Sequence, residues 1–258
     1  MNSVRLLATA YTVATAVTMA LGLRMRSRLF RRDPGRPMPL LGLLPIPRMS
    51  AVAFDVSGVF FVAVLLLAAA GWQTRWMLAV ALVLYVFHFG QILDRSGILK
   101  KTNLTPLYLG TLLVAPGLDA PWTVTTPHWP VIATQALLAC TYFAAGLAKL
   151  RNTGLRWATG EPLRAYLVDN YLWREAPVAW WVARHRTLCA LMSGYTLAVE
   201  LLFPLALSSD VTAGALVLAA IAMHLGIHAV MGINYLRYWW PNYLPFGIPL
   251  LTGWYWPA

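Results

Sequence analysis

The stretch Trp129–Leu150, WPVIATQALLACTYFAAGLAKL, decides how the whole chain is read. Between Trp129 and Ala148 it holds no charged side chain. A helix needs about 20 predominantly apolar residues to cross a hydrocarbon layer of about 30 Å, and this run has that length. An apolar run flanked by water would be far too long for a soluble core helix. Only a helix satisfies its own backbone groups in lipid, so the run is read as a spanning helix.

Similar runs lie on both sides. Leu6–Leu23, Ala51–Ala70, Trp76–Leu93, Leu104–Pro116, Leu188–Leu207 and Val211–Val230 are apolar with few interruptions, and Tyr238–Tyr255 is rich in Trp and Pro. The last is expected to span, re-enter or lie in the interface. Composition agrees. The 258 residues are 59% apolar and 11% charged, against about half and about a quarter in a soluble domain. This excludes a soluble globule, a disordered chain and a disulfide scaffold. Cys140 and Cys189 have no CxxC spacing and make neither a zinc site nor a disulfide framework. The expected fold is all-α: one polytopic transmembrane helical bundle of seven or eight spans over residues 1–258. Leu6–Leu23 lacks a cleavage signature and is read as a retained first helix.

Charge sets the expected orientation. Of the 20 Lys and Arg, 18 fall in Arg24–Arg48, Arg95–Lys101, Lys149–Arg186 and at Arg237, and only Arg5 and Arg75 fall elsewhere. With alternating helices the four basic regions share one side. Basic loops stay cytoplasmic, which predicts an external N-terminus and a multi-pass protein of the cell membrane. The net charge of +11 is then explained by anionic lipid headgroups, not nucleic acid. Arg31–Pro47 reads as an ordered Pro-rich surface connection. Asn152–His185, with a Gly-Glu-Pro turn at Gly160–Pro162 and an amphipathic stretch at Leu163–Tyr171, is expected to form short interfacial helices. Trp129, Trp173, Trp180, Trp181, Trp239, Trp240, Trp254 and Trp256 lie near helix ends and read as an interfacial belt without functional weight.

A charge at the bilayer centre costs about 2.5–3.5 kcal/mol on insertion scales, so ionisable groups inside the runs carry the information. Lys149 is either a snorkelling end residue or a desolvated base. Glu200, within YTLAVELLFPLAL, and Asp55, within AVAFDVSG, are either interhelical partners or protonated acids facing a cavity. His224 and His228 share a helical face, but two histidines make no metal site, and no metal is expected. They line a cavity more readily, as His88 and Gln91 do on adjacent turns. No P-loop, G-x-S-x-G or dinucleotide fingerprint is present.

Tyr142–Leu167, YFAAGLAKLRNTGLRWATGEPLRAYL, resembles the central motif of the vitamin K-dependent gamma-carboxylase-like family, which shares the horizontally transferred transmembrane domain. Ala145, Gly146, Lys149, Leu150, Trp157 and Gly160 hold the motif positions. AVELLFPLAL at Ala198–Leu207 and HLGIHAVMGIN at His224–Asn234 resemble two further helices of that family, so the likeness covers about residues 50–250. The resemblance implies that Lys149 is the base for a hydroquinone-like substrate, with a reduced quinone and oxygen as co-substrates and carbon dioxide added in the family reaction. Tyr142, Trp157, His228 and Asn234 are expected beside the substrate, together with His88 and Gln91. The chain departs from the family in three ways. Asn103–Thr105 holds no histidine where the family has a catalytic one, the large extramembrane domain is missing, and the Lys149 end reads as cytoplasmic. The expectation is therefore an integral membrane enzyme acting on a small lipophilic quinone or isoprenoid by acid–base chemistry, with catalytic roles for Lys149, Glu200, His224 and Asp55. One alternative is a membrane terpene cyclase that protonates an alkene or epoxide with Glu200 or Asp55, its carbocations stabilised by Trp76, Tyr85, Phe87 and Tyr195. Another is a non-catalytic immunity or assembly factor.

Overall fold

A computed structural model describes residues 2–23, 38–40, 44–46, 49–96, 104–174 and 177–253, with side chains described for 2–21, 49–88, 104–172 and 177–253. The readings of Arg24–Arg36 and Lys100–Asn103, and of Trp254 and Trp256, lie outside the described residues. The chain, expected as a single domain, divides into two compact units, Met1–Thr134 and Gln135–Ala258.

The first unit runs α1 (Ser3–Leu23), strands β1 (Met38–Leu40) and β2 (Leu44–Ile46), α2 (Ala51–Ala69), α3 (Thr74–Ser96) and α4 (Thr105–Val114), and ends in the start of α5 (Trp129–Thr153). The strands pair antiparallel, Met38 opposite Ile46. They are the one departure from all-α among the described residues. α1 packs on α2, α2 on α3 and α3 on α4.

The logic of α2 is that of a lipid-facing helix. Phe54, Gly58, Phe61, Leu65 and Ala68 are buried at alternating spacings of four and three, a single seam. The opposite face, Val52, Val56, Val59 and Phe60, is exposed yet equally apolar. Hydropathy alone therefore marks the span and hides its inner face. Two of the seam residues, Gly58 and Ala68, are small. Ser50 opens the helix by accepting the Ala53 N–H at 3.1 Å.

Both basic residues of the sparsely charged loops are held at one end of this unit. Arg5 donates to the Ala120 carbonyl at 3.2 Å and lies 4.8 Å from the Trp122 ring centre. Arg75 pairs with Asp119 at 3.1 Å and also donates to the Leu113 and Ala115 carbonyls. Buried Asn2 closes the same end. It donates to the Gly117 carbonyl at 2.8 Å and accepts from the Arg5 N–H and the Thr126 hydroxyl.

The second unit holds the remainder of α5, a 3-10 turn at Gly154–Thr159, α6 (Glu161–Arg174), α7 (Pro177–Arg184), α8 (Arg186–Leu202), a 3-10 turn at Phe203–Leu207, α9 (Asp210–Met231), α10 (Leu236–Trp239), a 3-10 turn at Trp240–Tyr243 and α11 (Leu244–Thr252). The expected helical content of Asn152–His185 is present as α6 and α7, which close on a small core of Leu167, Ala179, Val182, Ala183 and Cys189. Tyr238–Tyr255, read as a possible span, is instead broken into α10, a 3-10 turn and α11. Pro241, Pro245 and Pro249 remove backbone donors there. Likewise the run to Leu207 is α-helical only to Leu202, since Pro204 opens the 3-10 turn that follows.

Five helices, Ser3–Leu21, Ala51–Ala69, Trp129–Thr159, Arg186–Leu207 and Asp210–Met231, are long and apolar enough to cross a membrane, 3-10 extensions included. Thr74–His88 and Thr105–Val114 are shorter apolar helices. The chain is a helical membrane protein.

Candidate functional site

Tyr142, Gly146 and Lys149 recur on α5 at spacings of four and three, so one face carries all three. Gly146 lets α8 come against that face. A Cβ at position 146 would sit 3.0 Å from Leu201 Cδ2 and 3.1 Å from Glu200 Cβ, tighter than ordinary packing. The close approach brings Lys149 and Glu200 together. Lys149 Nζ donates to both carboxylate oxygens of Glu200, at 2.5 and 2.6 Å. The Glu200 side chain is 7% exposed and that of Lys149 is 21% exposed.

Two opposite charges in apolar surroundings offset each other's dehydration, and either alone would be strongly unfavourable. An ammonium has three donors and the carboxylate engages it with two oxygens, so the pair keeps one N–H to offer. Trp157 stands beside it, its ring centre 5.3 Å from Lys149 Nζ, a cation–π distance. Trp157 rides the 3-10 turn between two glycines in the left-handed region, Gly154 (φ 60) and Gly160 (φ 80). Gly160 is required there, since a Cβ would come within 2.4 Å of the α8 backbone at Cys189 and Ala190. The Gly-Glu-Pro turn of the sequence is therefore the seat that presses the Trp157 turn against α8.

Two turns back along α5, about 10 Å by helix rise, the Tyr142 hydroxyl is the centre of a second cluster. It meets His224 Nε2 of α9 at 2.8 Å and the Tyr243 hydroxyl at 2.5 Å, and it accepts the Trp239 indole N–H at 3.0 Å. Tyr142 also stacks on Phe203, ring centres 4.3 Å apart. All four polar members are buried. Phe203 follows Glu200 by three residues, so α8 and the turn after it serve both clusters from one face.

The structure brings together Lys149, Glu200 and Trp157, and separately Tyr142 and His224. Within the second unit it adds neither His228 nor Asn234 to either group. His228, one turn beyond His224, is exposed. Asn234 is exposed and accepts the Arg237 backbone N–H at 3.0 Å, within the turn that leads into α10. Asp55 and His88 belong to the first unit. There buried His88 meets the Ser57 hydroxyl at 3.0 Å through Nδ1 and stacks on Phe54 at 4.0 Å, a tie between α2 and α3. The Gln91 side chain is outside the described residues. Of the aromatics named for a cyclase, Trp76, Phe87 and Tyr195 are exposed and only Tyr85 is buried.

Sequence reasoning missed Trp239 and Tyr243. Its position near a helix end puts Trp239 in the expected interfacial belt, yet it is 7% exposed and its N–H is used inside. Trp129, Trp180, Trp181 and Trp240 are exposed. Three prolines in the Tyr238–Tyr255 segment are the available signal that it is not one regular α-helix. Among the described residues no group of three or more His, Cys, Asp or Glu is placed to hold a metal ion.

No family model matches the chain, and no curated protein and no solved structure matches it either.

Proposed function

We propose that the chain is an integral membrane enzyme that uses Lys149 as a base on a small lipophilic substrate, a quinone or isoprenoid, as the resemblance to the gamma-carboxylase-like family implies. The observation that carries this reading is the Lys149–Glu200 pair, set in two apolar helices with one side open at Lys149. A proton moved from Lys149 Nζ to Glu200 across 2.6 Å leaves a neutral amine and a carboxylic acid, with no net charge created in the apolar layer. The amine then takes the proton of an acidic substrate O–H, which leaves an ammonium beside a neutral Glu200 acid and a substrate oxyanion. The ammonium pairs with the oxyanion, and the extra proton on Glu200 goes back to the substrate-derived anion or to water when the product leaves. Reduced quinone and oxygen remain proposed co-substrates on the resemblance alone. The seven apolar segments span, the Pro-broken α10–α11 segment does not cross as one helix, the basic loops face the cytoplasm, and anionic lipids lie against them.

The cyclase reading needs a protonated Glu200 free to donate. With both oxygens held by Lys149, the base reading requires the smaller rearrangement.

Lys149→Arg tests the proposal. A guanidinium keeps the charge pair with Glu200 but stays protonated. Membranes from cells expressing wild type and the variant are compared by mass spectrometry of their lipid extracts. The expected result is a folded Lys149→Arg protein with the wild-type product missing and its precursor accumulated. Product at wild-type level from Lys149→Arg refutes a base at this position.

A further inference from the structure

The Tyr142 cluster leaves one polar atom over. His224 is 8% exposed, and its Nδ1 is sealed from solvent with no hydrogen-bond partner. A buried polar group left unpaired destabilises the fold, so a nitrogen held this way needs an explanation.

Donor counting tells what the atom offers. The Trp239 indole can only donate, and it fills one lone pair of the Tyr142 oxygen. In one arrangement Tyr142 donates to His224 Nε2 and Tyr243 donates to Tyr142. Every hydroxyl proton is then placed, and the neutral imidazole carries its proton on Nδ1. In the other arrangement His224 Nε2–H donates to Tyr142 and Tyr142 donates to Tyr243, which strands the Tyr243 proton as well as Nδ1. The first leaves a single orphan and the second leaves two. The first is the assignment, and it makes Nδ1–H an unused donor.

We propose that His224 Nδ1–H is the anchor for one acceptor oxygen, a carbonyl, of an otherwise apolar ligand. A cation gains nothing from an N–H donor, and a carboxylate would bring an uncompensated charge into an apolar layer. A ketone-type oxygen on a hydrocarbon body meets both conditions. The wall over His224 is the Tyr235 ring, 5.8 Å away between centres. Tyr235 sits on the turn that leaves α9 through Gly232 (φ 68), so binding at Nδ1 requires this turn to be displaced. The inference rests on the reading of the second unit as a site for a lipophilic substrate and names the group of that substrate held at His224.

The test is equilibrium binding to the full chain in lipid nanodiscs, labelled with 15N at its histidines, using 2-pentadecanone against pentadecane as probes. The expected result is one histidine N–H resonance that moves with the ketone and not with the alkane, and that is missing in His224→Phe. Ketone affinity should fall roughly threefold to tenfold in that variant, the worth of one hydrogen bond, with alkane affinity unchanged. A resonance indifferent to the ketone, or equal ketone affinity in wild type and His224→Phe, overturns the proposal. If His224→Phe does not fold, the infrared carbonyl band of the 13C-labelled ketone on wild type decides, and a band with no hydrogen-bonded component overturns it. The same titration on Lys149→Arg separates the two readings. Lost turnover with the His224 response intact supports both. A silent His224 in a chain that still turns over sinks this inference alone.

Discussion

Replacing Lys149 should damage the fold more than replacing Glu200, and replacing both should damage it least. Lys149→Met leaves a carboxylate whose side chain is 7% exposed and whose partner has gone. An uncompensated buried charge of this kind costs about 3–5 kcal/mol. Glu200→Met leaves an ammonium that is 21% exposed, in the second-last turn of α5, on a four-carbon stem that can reach toward headgroups. That relief limits the loss to about 2 kcal/mol. The double variant replaces the pair by apolar side chains of similar volume and should unfold within about 1 kcal/mol of wild type. The cycle therefore predicts a coupling of at least about 4 kcal/mol, measured by equilibrium unfolding in mixed micelles with tryptophan fluorescence. Single losses that add to within about 0.5 kcal/mol, or a costlier Glu200→Met than Lys149→Met, would refute the argument that the two charges are held against each other away from water.

Other perturbations reach different parts of the molecule. Tyr142→Phe removes the oxygen shared by His224, Tyr243 and Trp239 and should cost about 1–3 kcal/mol for each group left unpaired, read as a large fall in melting temperature. Gly160→Ala should lose more than about 2 kcal/mol, because it adds both a strained φ and a clash with the α8 backbone. Gly154→Ala, with open space around its Cβ, should lose only about 1 kcal/mol in the same unfolding assay. Partial burial holds the His128 imidazole below its usual value of 6.5. The folded state therefore resists protonation there, and the stability this gives is present above pH 6.5 and fades as the pH falls below it. Unfolding of His128→Asn followed from pH 7.5 to 5 should lose that part of the wild-type slope, and an unchanged slope would remove His128 as its source.

Much of the fold was legible because lipid imposes one rule on every spanning segment, and composition over about 20 residues reports it. Trp129–Thr153 and Asp210–Met231 lie within a few residues of their sequence readings for that reason. The same rule erased the inner faces. Val56 and Phe61 are equally apolar, and only packing makes one exposed and the other buried. The Lys149 motif could be found in the sequence because a charge in an apolar run is conspicuous. Its partner could not be chosen between Glu200 and Asp55, since both stand out alike.

By itself, the sequence determined that this is a helical membrane protein, where its apolar helices lie, and that Lys149, Glu200, Asp55 and the histidines within them are its costly residues, because those follow from local composition and the energy of a charge in hydrocarbon. The tertiary structure alone decided that Gly146 lets Glu200 reach Lys149, that the Pro-rich tail folds inward to deliver Trp239 and Tyr243 to Tyr142, and that His224 keeps one nitrogen unspent. Those are contacts across 51 to 101 residues, and no local pattern encodes which backbones come close.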